Sequence, residues 1–126
     1  MCLICSYTYG QLSDVHYLPP LRQAENNFIN IVQQAIYLST PVTTAFNVEI
    51  YRGTNTTPLT TISISNTIPA TYNLPIQNNN ITLVDDANTG VVLSNSGLRL
   101  VAPGGELFYV NSVSYTHLTL PTKRIV

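Results

Sequence analysis

Apolar and polar residues alternate along most of this chain, with the period of two that is typical of β-strands with one buried face. The clearest example is the segment 46–51, in which Phe46, Val48 and Ile50 alternate with more polar residues. Short strands separated by Gly-, Asn- and Pro-rich turns, roughly every 8–12 residues, predict an all-β, antiparallel sandwich-like domain. A set of propeller-like blades is the alternative. Further strands are predicted at 34–39, 59–64, 70–74, 81–84, 91–93, 98–101 and 107–110.

The first part of the chain is less regular. Residues 13–21 are predicted to be extended, because Pro19 and Pro20 fix their own φ and disfavour helix in the residue before them. Apolar residues between 21 and 38 recur at helical spacing, but three asparagines between 26 and 30 are poor helix formers. We therefore expect an irregular or one-turn segment at 22–30, followed by the strand at 34–39.

The charge of the chain is low and argues against two classes of partner. Charged residues make up 9% of the sequence, with 5 Lys and Arg against 6 Asp and Glu. Up to residue 111 the only cations besides histidine are Arg22, Arg52 and Arg99. Nucleic acids and anionic membrane surfaces both require clustered cations, so we expect neither as a partner.

The first ten residues, MCLICSYTYG, resemble the end of a secretory signal peptide. Small residues at Thr8 and Gly10 occupy the positions that a signal peptidase reads, which predicts cleavage before Gln11. Cys2 and Cys5 form a C-x-x-C pattern, but no thioredoxin-like context follows, and they are interpreted as apolar signal residues. The sequence therefore predicts an extracellular or cell-surface location and contains no run of membrane-spanning length.

The last residues have a different predicted origin. The stretch 113–122, VSYTHLTLPT, resembles the in-frame translation of a transposase adapter used in sequencing libraries. Ser112 fits the preceding adapter bases, and 123–126 fit a variable index followed by the resumed adapter. We therefore expect residues 112–126 to be an artefact tail on a metagenomic fragment. The natural domain would then be 11–111, truncated at its C-terminus.

Four stretches carry a resemblance to a known family. They are LSDVHYLPPL at 12–21, AIYLSTP at 35–41, NNITLV with NTGVVLSNSGLRL between 79 and 100, and GGELFYVN at 104–111. They resemble the N-terminal domain of large secreted surface proteins of gliding, surface-colonising bacteria. That domain is related to the N-terminal region of the IgGFc-binding protein family. The resemblance implies an incomplete copy of an exported β-domain and export by type IX secretion, and it transfers no ligand.

Candidate catalytic and metal-binding residues are few. Ser13, Asp14 and His16 are close in sequence, but neighbours on an extended strand point to opposite faces and do not converge as a triad. Asp85, Asp86 and Asn88 offer oxygen ligands in a predicted loop, yet calcium requires six to eight oxygens. A turn is the favoured interpretation there. We expect no enzymatic activity, no cofactor and no metal site.

Binding is the remaining class of function. We predict a non-enzymatic domain for adhesion or matrix binding, whose partner is an extracellular protein or glycan. The alternatives are a structural spacer and a carbohydrate-binding accessory module of a secreted hydrolase. The loops 52–58 and 77–90 are the candidate contact regions, with the residues Arg52, Asn55, Asn80, Asp85, Asp86 and Asn88. A strip for sugar stacking would form if four tyrosines shared an exposed face: Tyr37, Tyr51, Tyr72 and Tyr109.

Overall fold

A computed structural model of the 126-residue chain describes residues 11–23, 33–74, 81–88 and 90–115. Several predicted segments lie outside the described residues. They are the signal segment at 1–10, most of the irregular segment at 22–30, the Asn-rich loop containing Asn80 and residues 116–126 of the predicted tail. The described strands are β1 (Val15–Leu18), β2 (Leu21–Gln23), β3 (Gln33–Ser39), β4 (Phe46–Arg52), β5 (Thr60–Ile64), β6 (Ala70–Leu74), β7 (Leu83–Asp85), β8 (Leu98–Val101) and β9 (Tyr109–Tyr115). One 3-10 turn, η1 (Asp86–Asn88), follows β7.

Two antiparallel sheets pack face to face. The first has four strands in the order β1–β8–β4–β5, and the second has three in the order β6–β3–β9. Their inner faces meet in one hydrophobic core, to which Ile36 and Leu38 of β3 and Val48 and Ile50 of β4 contribute fully buried side chains. The all-β, sandwich-like prediction is therefore confirmed. Within the described residues no helix is long and apolar enough to cross a membrane.

Phe108 connects the two sheets. Its backbone exchanges two hydrogen bonds with Ser13, at 3.0 and 3.2 Å, just before β1 begins. Its ring is completely buried, 4.7 Å from the ring of His16 and 6.5 Å from that of Phe46. Since His16 belongs to the first sheet and Phe108 leads directly into β9 of the second, this contact holds the sheets together at one end.

A third sheet has two strands in parallel, and the sequence pattern did not predict it. β2 follows the Pro19–Pro20 corner and pairs with β7 in parallel register, and the Leu21 amide donates to the Thr82 carbonyl at 2.7 Å. Arg22, which was expected in an irregular segment, therefore lies in a strand. Parallel pairing joins segments far apart in the chain, so local sequence patterns carry no signal for it.

One predicted strand is missing, and another extends well beyond its predicted end. The predicted strand at 91–93 does not form: the segment follows Gly90, whose φ is +81°, and Val92 is 96% exposed. β-branched residues favour strands only where a pleated, half-buried surface receives them, and Val92 has none. β9 is longer than predicted and continues through 112–115, which pair with residues 33–36 of β3. The predicted tail boundary between 111 and 112 therefore falls within this strand.

Candidate functional site

The outer face of the four-stranded sheet contains a row of three side chains. Because Val48 and Ile50 of β4 face the core, the alternation directs Glu49 and Tyr51 outward. The register of the sheet places Arg99 of β8 opposite Tyr51, and Tyr17 of β1 opposite Arg99. Directly opposed residues lie on the same face, so these three residues, here called the Tyr-Arg-Tyr row, cross three neighbouring strands.

The three members of the row differ in exposure and contacts. Tyr17 is 73% exposed, and within the described chain its side chain makes no hydrogen bond and no ring contact. Arg99 is half-buried, with its guanidinium carbon 4.3 Å from the ring centroid of Tyr51. Its Nη2 donates a hydrogen bond to the carbonyl of Asn55 at 3.2 Å. A cation–π contact and a hydrogen bond therefore hold Arg99 toward β4 and leave the ring of Tyr17 uncovered.

Glu49 positions the hydroxyl of Tyr51. The Tyr51 hydroxyl donates a short hydrogen bond to Oε2 of Glu49, two residues earlier on the same strand face. That hydrogen bond raises the pKa of Tyr51 above its ordinary value, and burial and the negative charge of Glu49 act in the same direction. The charge of Arg99 acts in the opposite direction. The Tyr51 phenol of the row is consequently kept neutral beside the cation of Arg99, and it occupies Oε2 of Glu49, which lies next to the row on the same face.

The turn after β4 supports one end of the row. Gly53 donates to the Gly97 carbonyl at 2.9 Å, and its φ of +52° is the left-handed conformation that glycine adopts without strain. A Cβ at Gly53 would lie 2.2 Å from the carbonyl oxygen of Ser94, so the turn and the facing loop are in close contact. Thr54 donates two hydrogen bonds to the Ser94 carbonyl, at 2.9 Å from its amide and 3.1 Å from its hydroxyl.

Two of the predicted contact residues lie in this turn. Arg52 donates from Nε to the carbonyl of Asn95 at 2.7 Å, so its side chain fastens the loop facing the turn. Asn55 supplies the carbonyl that holds Arg99, and its side chain is exposed. The predicted contact loop at 52–58 therefore adjoins the row and positions it.

The other predicted contact loop lies elsewhere. Asn88 is in η1 and is half-buried, while Asn80 and the side chains of Asp85 and Asp86 lie outside the described part of the molecule. No group of three or more His, Cys, Asp or Glu side chains that could hold a metal occurs among the described residues. Asn88 borders a cleft of about 300 Å³ that is also lined by Pro20, Arg22, Val84, Gly90, Val91 and Leu93.

The four tyrosines predicted as an aromatic strip do not share one face. Tyr51 lies on the outer face of the four-stranded sheet, whereas Tyr37, Tyr72 and Tyr109 belong to the other sheet. Tyr72 is opposite Ile36 and packs against the core. Tyr37 and Tyr109 do share an outer face, because Tyr37 is opposite Asn111 and Tyr109 is two positions away on the same strand. The common surface that the strip required is therefore absent, because Tyr51 belongs to the other sheet and Tyr72 faces the core.

The adjacent residues Ser13, Asp14 and His16 do not converge. His16 is 9% exposed and faces inward, with Nε2 2.8 Å from the carbonyl oxygen of Phe108. The hydroxyl of Ser13 accepts a hydrogen bond from the amide of Val15 at 3.2 Å. The side chains of His16 and Ser13 each contact a backbone group at or near the start of β1.

Comparisons with known proteins add no relative. No family model matches the chain, and neither a curated protein nor a solved structure is significantly similar to it. The arrangement of side chains in the structure therefore carries the functional argument.

The sequence pattern did not single out Tyr17 and Arg99. For Tyr17 the alternation indicated the opposite orientation, because Val15 and Tyr17 are the more apolar positions of β1 and yet His16 is the buried residue. For Arg99 the outward direction was available from alternation, because it lies between Leu98 and Leu100. Their proximity was not available from the sequence, because Tyr17 and Arg99 are far apart in the chain and become neighbours only through the register of β1 on β8.

Proposed function

We propose that this chain is a non-enzymatic, exported binding domain that attaches a larger surface protein to an extracellular glycan or protein. The Tyr-Arg-Tyr row carries the proposal. A largely exposed aromatic ring beside a held cation, on the outer face of a sheet, combines apolar contact area with directed hydrogen bonding. Tyrosine and arginine are enriched where proteins bind partners, because tyrosine provides contact area at a low entropy cost and arginine provides several hydrogen-bond donors.

Export and attachment to a surface protein are supported by sequence features. The signal-like segment at 1–10 and the four stretches similar to secreted bacterial surface proteins favour an extracellular location. The scarcity of lysine and arginine is consistent with a partner recognised by shape and a few hydrogen bonds.

The sheet face also favours the carbohydrate-binding alternative over the spacer. A spacer needs no exposed aromatic ring without a protein contact, and Tyr17 is 73% exposed. Sugar rings present C–H groups that pack on the flat faces of tyrosine, and their hydroxyls pair with neighbouring polar side chains.

A binding panel tests the proposal. The full chain would be screened by biolayer interferometry against immobilised polysaccharides and extracellular matrix proteins. We expect at least one ligand, whose affinity falls roughly tenfold, about 1.4 kcal/mol, in Tyr17→Ala. Tyr37→Ala is the matched control, since Tyr37 is also partly exposed but lies on the other sheet. Equal loss in both variants, or no ligand on the panel, would contradict binding by this face and favour the spacer.

A further inference from the structure

We propose that the Tyr-Arg-Tyr row recognises a carboxylate-bearing sugar, as in the uronic acid units of an acidic polysaccharide. This inference rests on the proposed binding function and specifies its ligand. The sugar ring would pack on Tyr17, and its carboxylate would pair with Arg99.

Arg99 has the donors that such a carboxylate needs. Within the described chain its guanidinium makes one hydrogen bond, from one N–H of Nη2 to the carbonyl of Asn55, and leaves Nε, Nη1 and the second N–H of Nη2 without a protein acceptor. A guanidinium presents its N–H groups in a rigid planar fork that matches the two oxygens of a carboxylate. Because Tyr51 and Asn55 already hold the side chain, less conformational freedom is lost when a ligand binds.

Tyr17 provides the surface for the sugar ring. Neighbouring strands lie about 4.8 Å apart, so Tyr17 on β1 and Tyr51 on β4 flank the backbone of Arg99 from roughly equal distances. The guanidinium lies over Tyr51, and the ring of Tyr17 is largely exposed, so that ring is available to a sugar. An acidic peptide could use Arg99 as well, but a flexible carboxylate side chain would not need the flat face of Tyr17.

The charges on this sheet face suit an anion that enters from β1. Arg99 is the single cation among the outward residues of the four strands, and Glu49 is the single acid. Glu49 lies on the β4 side, where the hydroxyl of Tyr51 is already bound to its carboxylate. On the β1 side the next opposed pair is Val15 with Val101, which contributes no charge that would repel an anion.

The experiment compares an acidic ligand with its neutral counterpart. Binding of the full chain to oligogalacturonate and to carboxyl-reduced oligogalacturonate would be measured by isothermal titration calorimetry at low ionic strength. We expect the acidic oligomer to bind at least tenfold more tightly, and Arg99→Gln to abolish that preference. Arg22→Gln removes the same charge from the separate β2–β7 pair and should leave the preference unchanged.

A second variant keeps the test decisive if Arg99→Gln unfolds. Arg99→Lys retains the charge and loses the fork, so an intermediate preference is expected. Equal affinity for the two oligomers would overturn the carboxylate inference and leave the proposed binding function intact. Polyglutamate bound as tightly as the uronate would overturn the choice of a sugar. If wild-type chain binds no glycan but binds a matrix protein, the inference fails and the broader proposal stands.

Discussion

Replacing Phe108 with alanine tests the sandwich directly, because this ring fills the core where the two sheets meet. Its side chain is fully buried, with the rings of His16 and Phe46 at 4.7 and 6.5 Å. Truncating a buried phenylalanine to alanine costs about 3–5 kcal/mol, and the loss is larger where the surroundings cannot collapse into the cavity. The paired hydrogen bonds between Ser13 and Phe108 restrain the backbone here, so we expect a loss near the upper end.

Such a loss is a large part of the stability of a small domain, which is about 5–15 kcal/mol in total. For a domain of this size it corresponds to a fall in Tm of roughly 15–30 °C. Urea unfolding followed by circular dichroism and tyrosine fluorescence would measure it, since the chain has 8 tyrosines and no tryptophan. If Phe108→Ala does not fold, Phe108→Leu should show a smaller, measurable loss.

The adjacent residue provides the control. The side chain of Leu107 is 43% exposed. The hydrogen bond that Leu107 accepts from Thr40 involves only its backbone carbonyl, so it does not depend on the side chain. Leu107→Ala should therefore change the free energy of unfolding by no more than about 0.5 kcal/mol. A loss below about 1 kcal/mol in Phe108→Ala, or equal losses in the two variants, would refute the role assigned to this ring.

Three further predictions concern single sites. Gly53→Ala should destabilise the fold by about 2 kcal/mol or more, because φ is +52° and the Cβ would lie 2.2 Å from a backbone oxygen; Gly105→Ala, with φ +83° and open space, should cost about 1 kcal/mol. Urea denaturation of both variants separates the cost of backbone strain, which both share, from the cost of the steric clash at Gly53. Equal losses of unfolding free energy in the two variants would contradict the close contact at Gly53. Glu49→Gln should lower the pKa of Tyr51 toward its ordinary value in an ultraviolet titration referenced to Tyr51→Phe. Because the folded pKa of Tyr51 is raised, its contribution to stability is complete below the ordinary tyrosine pKa of about 10 and is lost as pH rises through the folded value. An unchanged titration in Glu49→Gln would show that the negative charge of Glu49 is not the cause. Thr40→Val should cost about 1–3 kcal/mol in urea unfolding, because the buried hydroxyl donates to a carbonyl at 2.7 Å and accepts from an amide at 3.1 Å; Thr40→Ser should retain most of the stability.

The prediction of individual strands succeeded where the hydrophobic alternation was unambiguous. The strands at 70–74 and 98–101 coincide with β6 and β8, and the strand at 46–51 ends one residue before β4 does. It failed at 91–93, where three apolar residues follow a turn and no strand edge receives them. β-propensity is a preference for a pleated, half-buried sheet surface, and other segments of the chain decide whether such a surface is present.

The residues of the candidate site were likewise predicted only in part. Arg52 and Asn55, predicted as contact residues from the composition of their loop, adjoin the row. Tyr51, predicted as part of an aromatic strip, belongs to the row. Tyr17 and Arg99 were missed because their meeting depends on the register between β1 and β8. The aromatic strip failed for the same reason, since which sheet a strand joins is a non-local property.

The sequence by itself determined the fold class, the inward face of the strand at 46–51 and the low number of cationic residues. These properties are local: alternation with period two follows from the geometry of one extended strand, and net charge follows from composition. Only the tertiary structure decided the order of the strands, the parallel pairing of β2 with β7 and the alignment of Tyr17, Arg99 and Tyr51. Strand partners and register are selected by burial of both sheets' apolar faces in one core, and that selection joins residues about 80 positions apart, as in the pairing of Tyr17 with Arg99.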